Sequence, residues 1–138
     1  MADFDVSGLD DLMLSLQQVA ELPEDVQDNM LNAQADMVMA AQQRSALSIA
    51  DTGQTARSLR KSKPKTRKGV RSISITFSGS RKRGETTTRN AEIAFVNEYG
   101  KKGVPPRNFI RKANEQSAAA STQAAAAVYD QYLQSKGL

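Results

Sequence analysis

Residues 72–78 read Ser-Ile-Ser-Ile-Thr-Phe-Ser, and this strict alternation constrains the fold more than any other feature of the chain. Successive side chains of a strand point to opposite faces, so Ile73, Ile75 and Phe77 need cover while Ser72, Ser74, Thr76 and Ser78 can stay wet. A strand over 70–78 with one wet face belongs in an antiparallel sheet. Ala91 to Tyr99 reads as another strand, with Ile93 and Phe95 on one side and Ala94 and Val96 on the other, and a shorter basic strand falls at 56–61. A sheet of about three strands cannot stand alone, so helices must lie across one face.

Helical patterns flank that segment. Ser7, with Asp10 three residues on, opens an amphipathic stretch in which Leu9, Leu12, Met13, Leu16, Val19 and Ala20 share a face, predicting a helix over 8–21. Pro23 suits a first helical position, and Glu24, Asp25 and Asp28 suit the positive end of a helix dipole. From there Val26, Met30, Ala33, Met37, Ala40 and Leu47 keep steps of three and four, broken by Arg44, predicting a helix over 23–49. Met30, Met37 and Met39 read as core filler at that spacing. The last helix is placed at 107–134, and its middle is almost all alanine, which favours helix and lets another backbone come close. The connections 62–69 and 78–90 are polar and basic and read as long loops, the second about twice the usual hairpin length. The expected fold is α+β in a single domain over 1–138: two N-terminal helices, a small antiparallel sheet with long basic loops, and a long Ala-rich C-terminal helix packed on the sheet.

The core available to such a fold is thin. Apolar residues make up 39% of the 138, but 19 of them are alanine and there is no tryptophan. A small core is commonly completed by other subunits, so assembly is expected. Cysteine and histidine are absent. Their absence excludes disulfides, thiolate nucleophiles, zinc sites of the usual ligand types and every Ser-His or Cys-His arrangement. The expectation is no enzymatic activity and no cofactor or metal, with only a carboxylate or lysine site left formally open. The first residues, MADFDVSG, are acidic where a signal peptide needs base, and no apolar run approaches the roughly 18 residues of a membrane helix. A soluble protein made in the cytoplasm, with no membrane partner and no small-molecule substrate, is expected.

The net charge of +4 conceals a segregation. Residues 1–56 hold ten acids and one base, Arg44, whereas residues 57–112 hold 17 bases and three acids. Halves of opposite sign fit either subunits that stack acid on base or a basic face for nucleic acid. The bases concentrate at Arg60, Lys61, Lys63, Lys65, Arg67, Lys68 and Arg71, then at Arg81, Lys82, Arg83 and Arg89. The loops 61–68 and 81–89 hold no large apolar side chain, so folding is expected to gain little from them. No aromatics are interleaved, so any nucleic-acid contact is expected to be with phosphates and independent of sequence.

Candidate catalytic patterns fail on spacing. Gly100-Lys101-Lys102-Gly103 lacks the earlier glycine of a phosphate loop, where Phe95 stands, and the hydroxyl after the lysine. On a straight strand Glu92 and Glu98 would face one side about 20 Å apart, farther than glycosidase carboxylates. Asp51-Thr52-Gly53 has the lettering of an aspartic-protease loop, but such a site needs two of them in a far larger scaffold, so it reads as the turn that ends the second helix.

Two longer stretches, in order, carry a resemblance. Ala50-Asp51-Thr52-Gly53-Gln54-Thr55-Ala56-Arg57-Ser58 places a serine five residues after the glycine of a helix-ending Asp-Thr-Gly. Asn97-Glu98-Tyr99-Gly100 is followed after a short gap by Pro105-Pro106-Arg107-Asn108-Phe109-Ile110-Arg111-Lys112-Ala113, similar to a pattern Glu-Tyr-Gly then Pro-x-Arg-Pro-Phe-Leu-Arg-Pro-Ala. Together they resemble the small neck or tail-completion (head-tail joining) proteins of lambdoid and related long-tailed bacteriophages, over about residues 9–135. The departures are Thr55 in place of leucine, no proline before Asp51, and Asn108 and Lys112 in place of prolines.

The resemblance implies a structural virion protein with no catalytic role, located at the head-tail junction and assembled as a sixfold homo-oligomeric ring. Its implied partners are the neighbouring connector or neck proteins, the tail-terminator or tail-tube proteins, and genomic DNA passing through the channel. The basic loops, Lys61 to Lys68 and Arg81 to Arg89, would serve assembly or that channel. The motif residues Asp51, Thr52, Gly53, Ser58, Glu98, Tyr99, Gly100, Pro106, Arg107 and Phe109 then have structural parts. Glu98 and Tyr99 end a strand, Gly100 permits the turn, Pro105 and Pro106 stiffen the way into the last helix, and Phe109 and Ile110 anchor it to the sheet. The alternative is a sequence-independent nucleic-acid-binding protein that uses the basic loops.

Overall fold

The computed structural model of the chain describes residues 3–5, 13–15, 22–49 and 53–137. In chain order they form β1 (Asp3–Asp5), β2 (Met13–Ser15), α1 (Glu24–Ser48), α2 (Gln54–Arg57), β3 (Leu59–Lys61), β4 (Lys65–Arg67), β5 (Val70–Ile73), β6 (Ile75–Phe77), β7 (Ser80–Arg83), β8 (Thr86–Arg89), α3 (Asn90–Tyr99) and α4 (Phe109–Ser135). The fold is α+β, with helices, small antiparallel sheets and a long C-terminal helix. The strands are shorter and more numerous than expected, and they lie in three sheets ordered β1-β2-β5-β4, β3-β6 and β7-β8.

Helices α1 and α4 pack along each other. Alanine and serine recur every four residues on the buried face of α4, at Ala113, Ser117, Ser121 and Ala125, and such short side chains let the two backbones approach. They meet Leu31, Ala35, Val38 and Ala46 of α1, all buried. Hydrogen bonds also cross this seam, the Gln42 amide donating to Asn114 Oδ1 at 2.8 Å and Ser45 Oγ to the Phe109 carbonyl at 2.9 Å. The stripe read from the sequence is rotated: Met37 and Leu47 are exposed, and Gln27, Gln34 and Gln42 are buried in their stead. Glutamine can turn inward where its amide finds a partner, as Gln27 does on the Leu22 carbonyl at 2.6 Å and Gln42 on Asn114, whereas Gln34 Oε1 is buried with no hydrogen bond from the described residues.

The middle of the chain is one long bent hairpin. Leu59, Arg60 and Lys61 pair with Phe77, Thr76 and Ile75, and Lys65, Thr66 and Arg67 pair with Ser72, Arg71 and Val70. Between the two ladders three residues, 62–64, oppose two, 73–74, which is a bulge, and Pro64 sits where no ladder N–H is needed. Ser62 N–H donates to the Ser74 carbonyl at 2.8 Å, and Ser74 N–H donates to Ser62 Oγ at 3.0 Å, so the hydroxyl replaces a ladder carbonyl. The hairpin closes on Lys68 and Gly69, both at positive φ (51° and 79°), the pattern of a type I′ turn. Hairpin β7–β8 closes equally tightly on Gly84 and Glu85.

Four sequence expectations need correction. Segments 62–69 and 78–90 are not long loops, because two-residue turns and the β-branched Thr86, Thr87 and Thr88 extend the strands through them. The helix expected over 8–21 is contradicted at Met13–Ser15, which is β2; it pairs with β1 and aligns Leu14 with Ile73 and Ser15 with Ser72 of β5. Leu12, Leu14 and Leu16 alternate as well as they fit a helix, and the open edge of β5 offers a ladder; the rest of 8–21 lies outside the described residues. The strand expected over 91–99 is helix α3, which buries Asn90, Ala91, Ala94 and Glu98 at helical steps. The strand expected at 56–61 keeps only Leu59–Lys61, because the turn α2 takes the residues before it.

The inner face of the bent hairpin, Leu59, Ile73, Ile75 and Phe77, is buried. Phe77 meets Phe109 of α4 edge to face, with ring centroids 6.0 Å apart. The hairpin is fastened to α1 by Arg71, whose Nε and Nη2 donate to Asp28 at 2.8 and 2.9 Å, with Glu24 at 3.1 Å. The hydrogen-bonded Asp28 carboxylate raises the Arg71 pKa above its ordinary value, so the fork stays charged.

Candidate functional site

The residues singled out in the second motif come together at the start of α4. Asn108, the cap position, is at φ 51° and makes no side-chain cap bond, so the first N–H groups of α4 need another acceptor. Glu98, buried at the end of α3, supplies it: Oε1 accepts from Ile110 N–H at 2.7 Å and Oε2 from Arg111 N–H at 3.2 Å. A carboxylate there also meets the positive end of the helix dipole. The approach is fixed by Arg107 N–H on the Asn97 carbonyl (2.8 Å) and Asn108 N–H on the Glu98 carbonyl (3.1 Å). Glu98 and Tyr99 therefore end a helix and not a strand, and the acid functions as a cap delivered from a distant segment. Replacing Glu98 by Ala should lower stability by about 2 kcal/mol, the sum of a lost cap and buried N–H groups left without acceptors. Glu98→Gln, which keeps one acceptor, should cost less; equal melts for both variants and wild type would contradict the cap.

Gly100 makes the turn between the two helices possible. It sits at φ 78° and ψ 176°, and a Cβ there would lie 2.6 Å from the Val104 carbonyl oxygen and 2.8 Å from Pro106 N. The loop beyond it is braced by reciprocal backbone bonds between Lys101 and Val104 at 2.9 and 2.8 Å. Pro106 and Arg107 are exposed, and Arg107 Nη1 donates to the Ile49 carbonyl at the C-terminal end of α1 at 3.4 Å. Phe109 is 2% exposed and Ile110 is buried beside it.

Of the first motif, Asp51 and Thr52 lie outside the described residues. Gly53 precedes α2, and Ser58 ends it buried, donating from Oγ to the Thr55 carbonyl at 2.7 Å while its own carbonyl accepts from Ser78 N–H at 2.9 Å. Thr55 Oγ1 accepts from Arg81 Nη2 at 2.7 Å, Arg81 Nε donates to Asn90 Oδ1 at 2.9 Å, and Asn90 Nδ2 donates to the Ser78 carbonyl at 2.9 Å. Arg81 is only 9% exposed. The expectation that folding gains little from 81–89 fails at Arg81, since its guanidinium ties β7 to α2 and α3. The one sign of it in the sequence is Thr55, a hydrogen-bonding side chain where the resembled pattern has leucine.

Two faces remain open. On α3, Phe95 and Tyr99 are 50% and 48% exposed with ring centroids 5.3 Å apart. Beside them run two shallow grooves of about 290 and 460 Å³, one bounded by Arg89 and Phe95, the other by Thr88, Ile93, Lys101 and Val104, with Glu92 and Val96 shared. Glu92 faces these grooves while Glu98 is committed to α4, so the two carboxylates form no pair. The second open face is the outside of the bent hairpin. Lys63, Lys65, Arg67 and Lys68 are exposed there, as are Lys82 and Arg89 on the other hairpin; Arg83 ends β7. Lys61 differs, bonding Asp36 at 2.6 Å. Among the described residues no helix is long and apolar enough to cross a membrane.

No protein-family model, curated protein or solved structure matches the chain.

Proposed function

We propose that the chain is a structural protein of the bacteriophage virion, a ring subunit that joins or completes the interface between head and tail. The observation that carries the reading is α3, which turns Glu98 inward and holds Phe95 and Tyr99 half out of the protein. Paired exposed aromatics are common anchors of protein contacts. Glu98, Gly100 and Phe109 are consumed within the subunit, so these motif residues build the frame and the α3 face makes the contact.

The occupant we assign is the outer face of α1 in a neighbouring copy. That face exposes Leu47 and Met37 with Asp25, Asp36 being taken by Lys61, while Arg89 and Lys101 flank the α3 grooves. Apolar groups meet apolar groups, and Asp25 complements the bases that flank Glu92. The contact is heterologous, and a heterologous contact that closes makes a ring. The resemblance to neck and tail-completion proteins supports the rest of the reading: sixfold symmetry, connector, neck, tail-terminator or tail-tube proteins as neighbours, a place in the virion, and a non-enzymatic role. Light scattering and electron microscopy of the purified protein test it, alone and with tail partners. Closed rings that loosen as salt rises are expected. A species that stays monomeric at high concentration, with and without those partners, overturns it.

A further inference from the structure

The β4–β5 hairpin has two faces of opposite character. Its inner face is anchored, with Ile73 fully buried and Arg71 forked onto Asp28. Its outer face sets Lys65 and Arg67 beside Ser62, Ser72, Ser74 and Thr76 around a shallow groove of about 260 Å³. Lys63 in the bulge at one end and Lys68 in the turn at the other carry the same charge. No described carboxylate pairs with these four cations, although Lys61 and Arg71 of the same hairpin both hold acids. Like charges fixed on a braced ladder repel one another and create a field that favours an anion.

We propose that this outer face docks on the phosphodiester backbone of double-stranded DNA without reading its sequence, an inference that rests on the ring reading only for where the DNA lies. Alternate residues of a strand emerge about 7 Å apart, close to the rise of about two base steps along one DNA strand. Ammonium, guanidinium and hydroxyl donors are the groups that phosphate oxygens take. A protein partner fits less well, because among the residues whose side chains are described this face has no aromatic or large apolar anchor, and interface cores are depleted in lysine. A single strand also fits less well, because it would need aromatic platforms, and Phe77 of the same hairpin is buried against Phe109 on the inner side.

The test is binding of a labelled duplex to the full chain over rising salt, read by fluorescence anisotropy, for wild type and for the triple variant Lys65→Gln, Arg67→Gln, Lys68→Gln. Wild-type affinity should fall steeply with salt. The variant should bind more weakly, with a log-log salt slope shallower by about 2 to 3. Its melting temperature should be unchanged, since exposed charges contribute little to stability. The inference is overturned by no duplex binding even at low salt, by a variant that binds like wild type, by polyglutamate of matched charge competing as well as duplex, or by a single strand that binds more tightly. Light scattering on the same samples separates this from the ring reading: duplex binding by monomers keeps the inference and removes the ring, and rings without duplex affinity do the reverse.

Discussion

Phe109→Ala is expected to cost about 3 to 5 kcal/mol. Phe109 is 2% exposed, its ring stands edge to face on Phe77, and its carbonyl accepts from Ser45 Oγ of α1 at 2.9 Å. Truncation would open a cavity where α4, α1 and β6 meet, and neither the ladder nor the helix seam can collapse into it. Domains of this size are stable by about 5 to 15 kcal/mol in all, so the loss should lower the melting temperature by about 10 to 20 °C and leave much of the protein insoluble or unassembled. A variant that melts within a degree or two of wild type would place Phe109 outside the core.

Gly100→Ala should be of similar size for a different reason. The backbone at φ 78° and ψ 176° lies in a region that only glycine adopts readily, which alone costs a side chain about 1 to 3 kcal/mol. In addition, the new methyl would stand 2.6 Å from the Val104 carbonyl oxygen, a backbone atom held by its partner Lys101. Relief would have to come from moving the loop that delivers Asn108 and Phe109, so the Glu98 cap would loosen as well. Gly103→Ala is the control. Its φ is also positive, at 82°, but a Cβ there meets nothing within 4 Å, so only backbone strain of about 1 kcal/mol remains. Melts that fall equally for the two variants would contradict the close packing at Gly100.

The difference between what the sequence shows and what it hides follows from which interactions are local. Ile73, Ile75 and Phe77 alternate with hydroxyls and do line the inner face, because burial on one side of a ladder is written directly in period two. The long helices α1 and α4 are legible as elements, α1 from its steps of three and four and α4 from its alanines, but the face that α1 buries is rotated from the apolar stripe and takes in Gln27, Gln34 and Gln42. Ile93 and Phe95 imitate a strand, yet Ala91, Ala94 and Glu98 are the positions that pack, and nothing local tells that Glu98 will find the open N–H groups of α4. Arg81 is a parallel case: a guanidinium among exposed bases is buried where the distant Thr55 and Asn90 receive it. The two hairpins, by contrast, are readable in principle, since Lys68-Gly69 and Gly84-Glu85 are glycine-containing pairs of the length a tight turn requires.

The claim that α3 joins subunits is tested most directly by the double variant Phe95→Ser, Tyr99→Ser, compared with wild type by native mass spectrometry and thermal melting. Both side chains are about half exposed and lie outside the core cluster, so the fold should survive with little change in melting temperature. Wild type should run as a closed ring and the variant as a monomer. A variant that keeps the wild-type assembly would contradict the account, because the contact would then lie on some other face.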